Sequence, residues 1–92
     1  MKKTIVAQIS INKKFETKFL NLAATIVTKS NAEEGCITYR LHKDIYNENA
    51  YLFYEEYLNE TAVDFHNSSS HFNVFIDEIS SMLLKEPVIN IY

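Results

Sequence analysis

Apolar and polar residues alternate over residues 4–11, with Ile5, Ala7, Ile9 and Ile11 on one side and Val6, Gln8 and Ser10 on the other. A period of two with β-branched side chains predicts a strand. Asn12 offers a side-chain cap for a helix beginning just after it. Over residues 13–30 the period lengthens: Phe15, Phe19, Leu22, Ala23 and Ile26 fall on one helical face. Residues 30–35 form a loop ending in the only glycine, Gly35. Alternation resumes over 36–44, where Ile37, Tyr39 and Leu41 oppose Cys36, Thr38, Arg40 and His42. An Asn-rich turn at 45–49 leads to a third strand, AYLFYEEYL, over 50–58. Both faces of that strand are mostly apolar, so cover is expected on both sides.

Asn59 reads as the cap of a short helix running to His66. Ser68, Ser69 and Ser70 interrupt it, and Phe72, Phe75, Ile76, Ile79, Met82 and Leu83 resume helical spacing. Pro87 ends that helix, and residues 88–92 form a last strand with the proline at its first position. The order βαββ(αα)β predicts an α+β domain over 1–92, with a four-stranded antiparallel sheet and helices on one face. The doubly apolar third strand then predicts a homodimer packed through its sheet faces.

Composition narrows the function. The 92 residues are 47% hydrophobic and 13% aromatic, with a net charge of −3. Without a basic stripe, nucleic-acid binding is not expected. A single cysteine, Cys36, fits a reducing compartment. No apolar run approaches the roughly 20 residues of a membrane span. The opening stretch is too interrupted for a secretory leader. These features point to a cytoplasmic protein with no membrane partner.

The stretch FHNSSSHF at 65–72 carries the candidate chemistry. In one continuous helix, His66 and His71 would point about 140° apart and could not share a metal. No third ligand stands nearby in the sequence, so no metal site is expected. The serines instead predict a break, with Ser69 or Ser70 capping the last helix. His71 then lies in that helix's first turn, where the dipole favours a neutral ring. His66 lies at the end of the preceding helix, where the field favours protonation. No glycine-flanked turn surrounds the serines, so a nucleophilic serine is not indicated.

The order of these features resembles the antibiotic biosynthesis monooxygenase family. The segments that carry the resemblance are Glu55-Glu56-Tyr57, Asn59, Ala62-Val63-Asp64-Phe65-His66, Ser68–Ser70 and His71-Phe72. Upstream, Glu33-Glu34-Gly35-Cys36-Ile37-Thr38-Tyr39 is similar to the family's EEGCxxY segment. The strand Ile5–Ile9 is similar to its first strand, with Gln8 where Glu is common. The resemblance implies a ferredoxin-like βαββαβ fold assembled as a dimeric α+β barrel. It also implies oxidation of a quinol or polyphenol by O2 without metal or flavin. One subgroup instead isomerises a phosphorylated autoinducer-type diketone. A haem-degrading subgroup relies on a tryptophan, which this chain lacks. Tyr57 stands where many members carry Trp.

For an oxygenase, His71 or His66 is the expected base, because an imidazole near neutrality suits general-base work, and Tyr57 and Tyr39 are the expected partners of substrate oxygens. Phe53, Phe65, Phe72 and Phe75 would supply an aromatic wall. For an isomerase, Glu55 would join the histidine, while Arg40 and the N–H groups after Ser69 would hold phosphate. A third possibility is a small ligand-binding module without turnover. Each residue also has a structural reading. Glu55 could pair with Arg40, the phenylalanines could be core, and Tyr51 and Tyr54 could be interface aromatics. Cys36 reads as a small buried residue and His42 as solvated.

Overall fold

A computed structural model describes residues 1–92. Strand β1 spans Lys3–Ser10, and α1 spans Glu16–Asn31 after a short 3-10 turn at Lys13–Phe15. Strands β2 and β3 span Cys36–Lys43 and Ala50–Tyr57. Helices α2 and α3 come next, at Glu60–Asn67 and Ser70–Ile79, and β4 closes the order at Val88–Ile91. All four predicted strands and both predicted helical regions are present. The last helix is shorter than its apolar pattern, because Ser80–Met82 tightens into a 3-10 turn.

The sheet order is β2-β3-β1-β4, with every pair antiparallel. The sheet is open: β2 and β4 are unpaired edges, and the strands do not close on one another. The closed α+β barrel implied by the family resemblance is therefore corrected to an open four-stranded sheet with helices on one side. Residues of alternate register fill the helix-facing side, among them Ile5, Ala7, Ile9, Tyr51 and Phe53. Phe19 of α1 and Phe75 of α3 pack on Phe53, with ring centroids 6.4 and 5.6 Å away. The opposite face carries Val6, Leu52 and Tyr54, which are half-buried, with Arg40 and His42 beside them.

Tyr51 does not face a partner. It is buried on the helix side, donates its hydroxyl proton to the Glu16 carboxylate, and accepts from Lys43 Nζ at 3.0 Å. No helix is long and apolar enough to cross a membrane.

Caps set the helix boundaries where the sequence placed them. Asn59 accepts from the Ala62 N–H at 2.9 Å, and Ser69 accepts from the Phe72 N–H at 3.2 Å. Ser69 also donates to the His66 carbonyl at 2.7 Å, so one hydroxyl ends α2 and starts α3. At the other end of α1, the Asn31 side chain both donates to the Tyr39 carbonyl and accepts from its N–H, at 2.9 and 3.0 Å. This ties the helix to β2.

Gly35 is required by proximity rather than by conformation, since no residue has a positive φ. A Cβ at Gly35 would lie 2.4 Å from the Ala62 Cβ on α2. Gly35→Ala is expected to destabilise the fold by about 1–3 kcal/mol through overpacking. Ala62→Gly in the same chain should recover part of the loss. Denaturant unfolding of the three variants checks this, and equal midpoints for Gly35→Ala and the parent would refute the close approach.

Candidate functional site

Two neighbouring groups of residues carry the ionisable chemistry. The first is built by the break between α2 and α3. His66 is at the end of α2 and His71 is in the first turn of α3, and the turn at Ser68–Ser69 folds them toward each other. Their ring centroids are 5.9 Å apart. Both face the side chain of Glu33, which lies between α1 and β2. His66 Nδ1 is 2.8 Å from Glu33 Oε2, and His71 Nε2 is 2.5 Å from the same oxygen. A carboxylate only accepts, so each of these nitrogens carries its proton.

The side chains of His66, Glu33 and His71 are 1%, 4% and 15% exposed. The expectation that the two histidines cannot share a ligand assumed a continuous helix. The break overturns it, and Glu33 is the third group that the local sequence did not supply.

His66 packs between Tyr39, Tyr57 and Phe72, at centroid distances of 5.3, 5.5 and 5.0 Å. Burial lowers its pKa, and Glu33 opposes this only in part. Desolvation thus outweighs the helix-end field that was expected to favour protonation. His66 Nε2 is buried and has no hydrogen-bond partner.

The second group surrounds a cavity of about 420 Å³ between α3 and the helix-facing side of β1, β3 and β4. Its wall is mostly apolar and includes Phe53, Phe72, Phe75 and Tyr39. Its one acidic wall residue is Glu55, which is 6% exposed. The Tyr57 hydroxyl donates to Glu55 Oε1 at 2.8 Å. Burial pushes the Glu55 carboxyl up to about 7, while that hydrogen bond pulls weakly the other way. Tyr57 and Tyr39 are held protonated by the same burial and by the nearby carboxylates.

The predicted residues therefore divide. Glu55, Phe53, Phe72, Phe75 and Tyr39 meet at the cavity, with Tyr57 behind Glu55. His66 and His71 meet at Glu33, and His66 touches the cavity only through Tyr39 and Phe72. Phe65 does not join the wall, because it points outward from α2 and is 62% exposed. Arg40 is also outside. It sits opposite Tyr54 on the far face of the sheet and pairs neither with Glu55 nor with anything in the cavity. Cys36 is half-buried, and burial raises its thiol to about 11, which fits an inert side chain.

Glu33 is the functional candidate that residue-by-residue reading passes over. Two signals are available: Glu33 opens the segment similar to the family's EEGCxxY, and a histidine buried at the end of a helix needs an acceptor from elsewhere in the chain.

An open four-stranded antiparallel sheet with helices on one side and an apolar pocket between them defines the fold as ferredoxin-like α+β. The chain belongs to the antibiotic biosynthesis monooxygenase family, whose profile it matches over residues 4–78. It is 32% identical over 77 residues to a Bacillus subtilis protein provisionally named monooxygenase YcnE, covering 84% of this chain and 81% of that one. It is 30% identical over 88 residues to the uncharacterised protein sll1783 of Synechocystis. That match takes in 96% of this chain but spans only 60% of the relative's length. Among solved structures, a conserved protein of Methanosarcina mazei superposes with a TM-score of 0.96 at 30% identity, covering 100% of this chain and 91% of that one. A family-named protein of Nitrosomonas europaea reaches 0.95 at 14% identity over 99% of this chain and 88% of its own, a likeness of fold alone.

The Glu55 shift has a thermodynamic consequence. Its folded pKa of about 7 lies above the usual 4.5. The associated stability is fully present below about pH 4.5 and is lost as pH rises toward 7, because the unfolded chain gives up the proton first. The loss amounts to about 3 kcal/mol. Denaturant unfolding between pH 4.5 and 8 should show this decline in the parent and not in Glu55→Gln. Parallel profiles would mean that Glu55 ionises normally.

Proposed function

We propose that this chain is a monooxygenase that oxidises a quinol or polyphenolic molecule with O2, with Glu55 as the group that moves the proton. The observation that carries this reading is an apolar, aromatic-walled cavity whose acidic wall residue has a pKa of about 7. A base works best when its pKa lies near the working pH. Ionised Glu55 takes the proton of a phenolic O–H. The phenolate passes one electron to O2, and the resulting radical pair joins to form a C–O bond. The peroxide anion so formed takes the proton back from Glu55, and the resulting hydroperoxide loses water with the hydrogen on its own carbon. In sum, a hydroquinone and O2 give a hydroxyquinone and water, and Glu55 ends as it began.

His66 and His71 remain candidates for a supporting role, because their bonds to Glu33 fix the wall residues Tyr39 and Phe72 from behind. The phosphorylated-diketone reading loses support, because Arg40 lies across the sheet and no cation lines the cavity. Binding without turnover is the outcome if O2 is not consumed.

A second copy packed on the free sheet face belongs to this proposal. Val6, Leu52 and Tyr54 form a half-buried apolar stripe there, continued by Val88 on β4. Such a stripe is normally covered in solution.

Two measurements test the reading. Oxygen uptake with a panel of hydroquinones and anthrones should rise with pH through about 7. Glu55→Gln should lower kcat/KM by about 100-fold or more, within the range of general-base catalysis. Unchanged uptake in Glu55→Gln would remove Glu55 from the chemistry. Light scattering should give twice the chain's 10.7 kDa, and Leu52→Lys should give the single mass. A single mass for the parent at tens of micromolar would refute the pairing of sheets.

A further inference from the structure

We infer that Glu33, His66 and His71 form a binding site for a divalent first-row transition-metal ion. The three side chains come from three separate segments, the α1–β2 loop, the end of α2 and the start of α3. Their ligand atoms all lie within 4.8 Å of one another. Two imidazole nitrogens and one carboxylate oxygen are the donor set that holds zinc or ferrous iron in three-ligand sites with open positions.

Direction matters as much as distance. Each histidine aims one ring N–H at Glu33 Oε2, at 2.8 and 2.5 Å. When the proton moves to the other ring nitrogen, a lone pair points along the same line toward the same region. Ligands about 2.1 Å from a tetrahedral ion stand about 3.4 Å apart. The two short contacts therefore need to open by less than about 1 Å, while the two histidine nitrogens, which lie within 4.8 Å of each other, need to close to the same spacing. Rotation of the Glu33 side chain supplies movement of that size. His71, at 15% exposure, is the side from which an ion reaches the cluster.

Electrostatics favours the exchange. Two neutral N–H donors satisfy the hydrogen bonding of a buried carboxylate without bringing opposite charge, and a divalent ion brings both a bond and that charge. The ion would also link the three segments, so that it binds the folded chain in preference to the unfolded one. The site is distinct from the cavity: Glu55 is not among its ligands, and neither histidine lines the cavity wall. Metal binding therefore stands or falls separately from the oxidation of phenols.

The test uses the full chain stripped with chelator. Zinc(II) titrated by calorimetry should bind one equivalent per chain. At 100-fold excess over its dissociation constant it should raise Tm by roughly 10 °C. Cobalt(II) should give the visible absorption of a low-coordinate nitrogen–oxygen site. His71→Ala and Glu33→Gln should each weaken zinc by more than about 100-fold, beyond the loss typical of a merely supporting partner. His42→Ala, an exposed histidine elsewhere, should bind as the parent does. No heat and no change in Tm on adding zinc would overturn the inference. Parent-like affinity in both His71→Ala and Glu33→Gln would also overturn it, because the ion would then be bound elsewhere.

Discussion

The arrangement around the candidate site depends on one buried carboxylate that has to be satisfied from a distance. Glu33 comes just after α1, yet its donors are rings on α2 and α3, 33 and 38 residues further on. By accepting from both, it adds a polar tie between two short helices whose apolar residues Val63, Phe75 and Ile79 are already buried in the core. Removing the acceptor would strand two donors, at about 1–3 kcal/mol for each that is buried. The same bonds hold His66 against Tyr39 and Phe72, and those two residues wall the cavity. A polar contact just behind the core thus shapes an apolar space inside it.

Glu55 shows the other way to bury a carboxyl group. It lies on the same side of the sheet but receives one hydrogen bond, from Tyr57, rather than two from imidazoles. One bond from a neutral phenol does not offset desolvation, so the proton is held up to about pH 7. Two carboxyl groups in one small core therefore reach opposite solutions. Glu33 is compensated by partners and serves to hold elements in place. Glu55 is left undercompensated and remains able to exchange a proton. An undercompensated group that opens onto a cavity is a better candidate for chemistry than a satisfied one.

The fold is legible from the sequence wherever it rests on local period and local caps. The alternation in β1 and β3, the helical face Phe19–Ala23–Ile26, and the caps at Asn59 and Ser69 all depend on neighbours a few residues apart. The site is only half legible, because it depends on contacts across 33 residues or more. The serines announce the break, but not that it turns both histidines onto one distant carboxylate. The angle of 140° between His66 and His71 belongs to a helix that the chain does not form. Arg40 is the candidate for the cation a phosphate would need, but the alternation in β2 already places it on the opposite face from Tyr39, and the structure keeps it there. Its parity in β2 puts it on the face of Thr38 and His42, while Tyr39 faces the cavity. Tyr51 resembles an interface residue because strand β3 is apolar on both faces. Glu16 and Lys43, which satisfy its hydroxyl on the helix side, come from two other elements.

What the cavity accepts is set by what it lacks as much as by what it contains. A phosphorylated substrate entering it would give up its solvation and find no guanidinium or ammonium group on the wall in exchange. Near Glu55, a dianion would also meet a carboxyl group that its own field would keep protonated. A phenol or quinol faces neither penalty. Its ring is matched by Phe53, Phe72 and Phe75, and the first phenolic proton it gives up is matched by one carboxyl group that can take it near pH 7. The balance of charge in the wall therefore supports the proposed neutral, aromatic, weakly acidic substrate over a phosphorylated one.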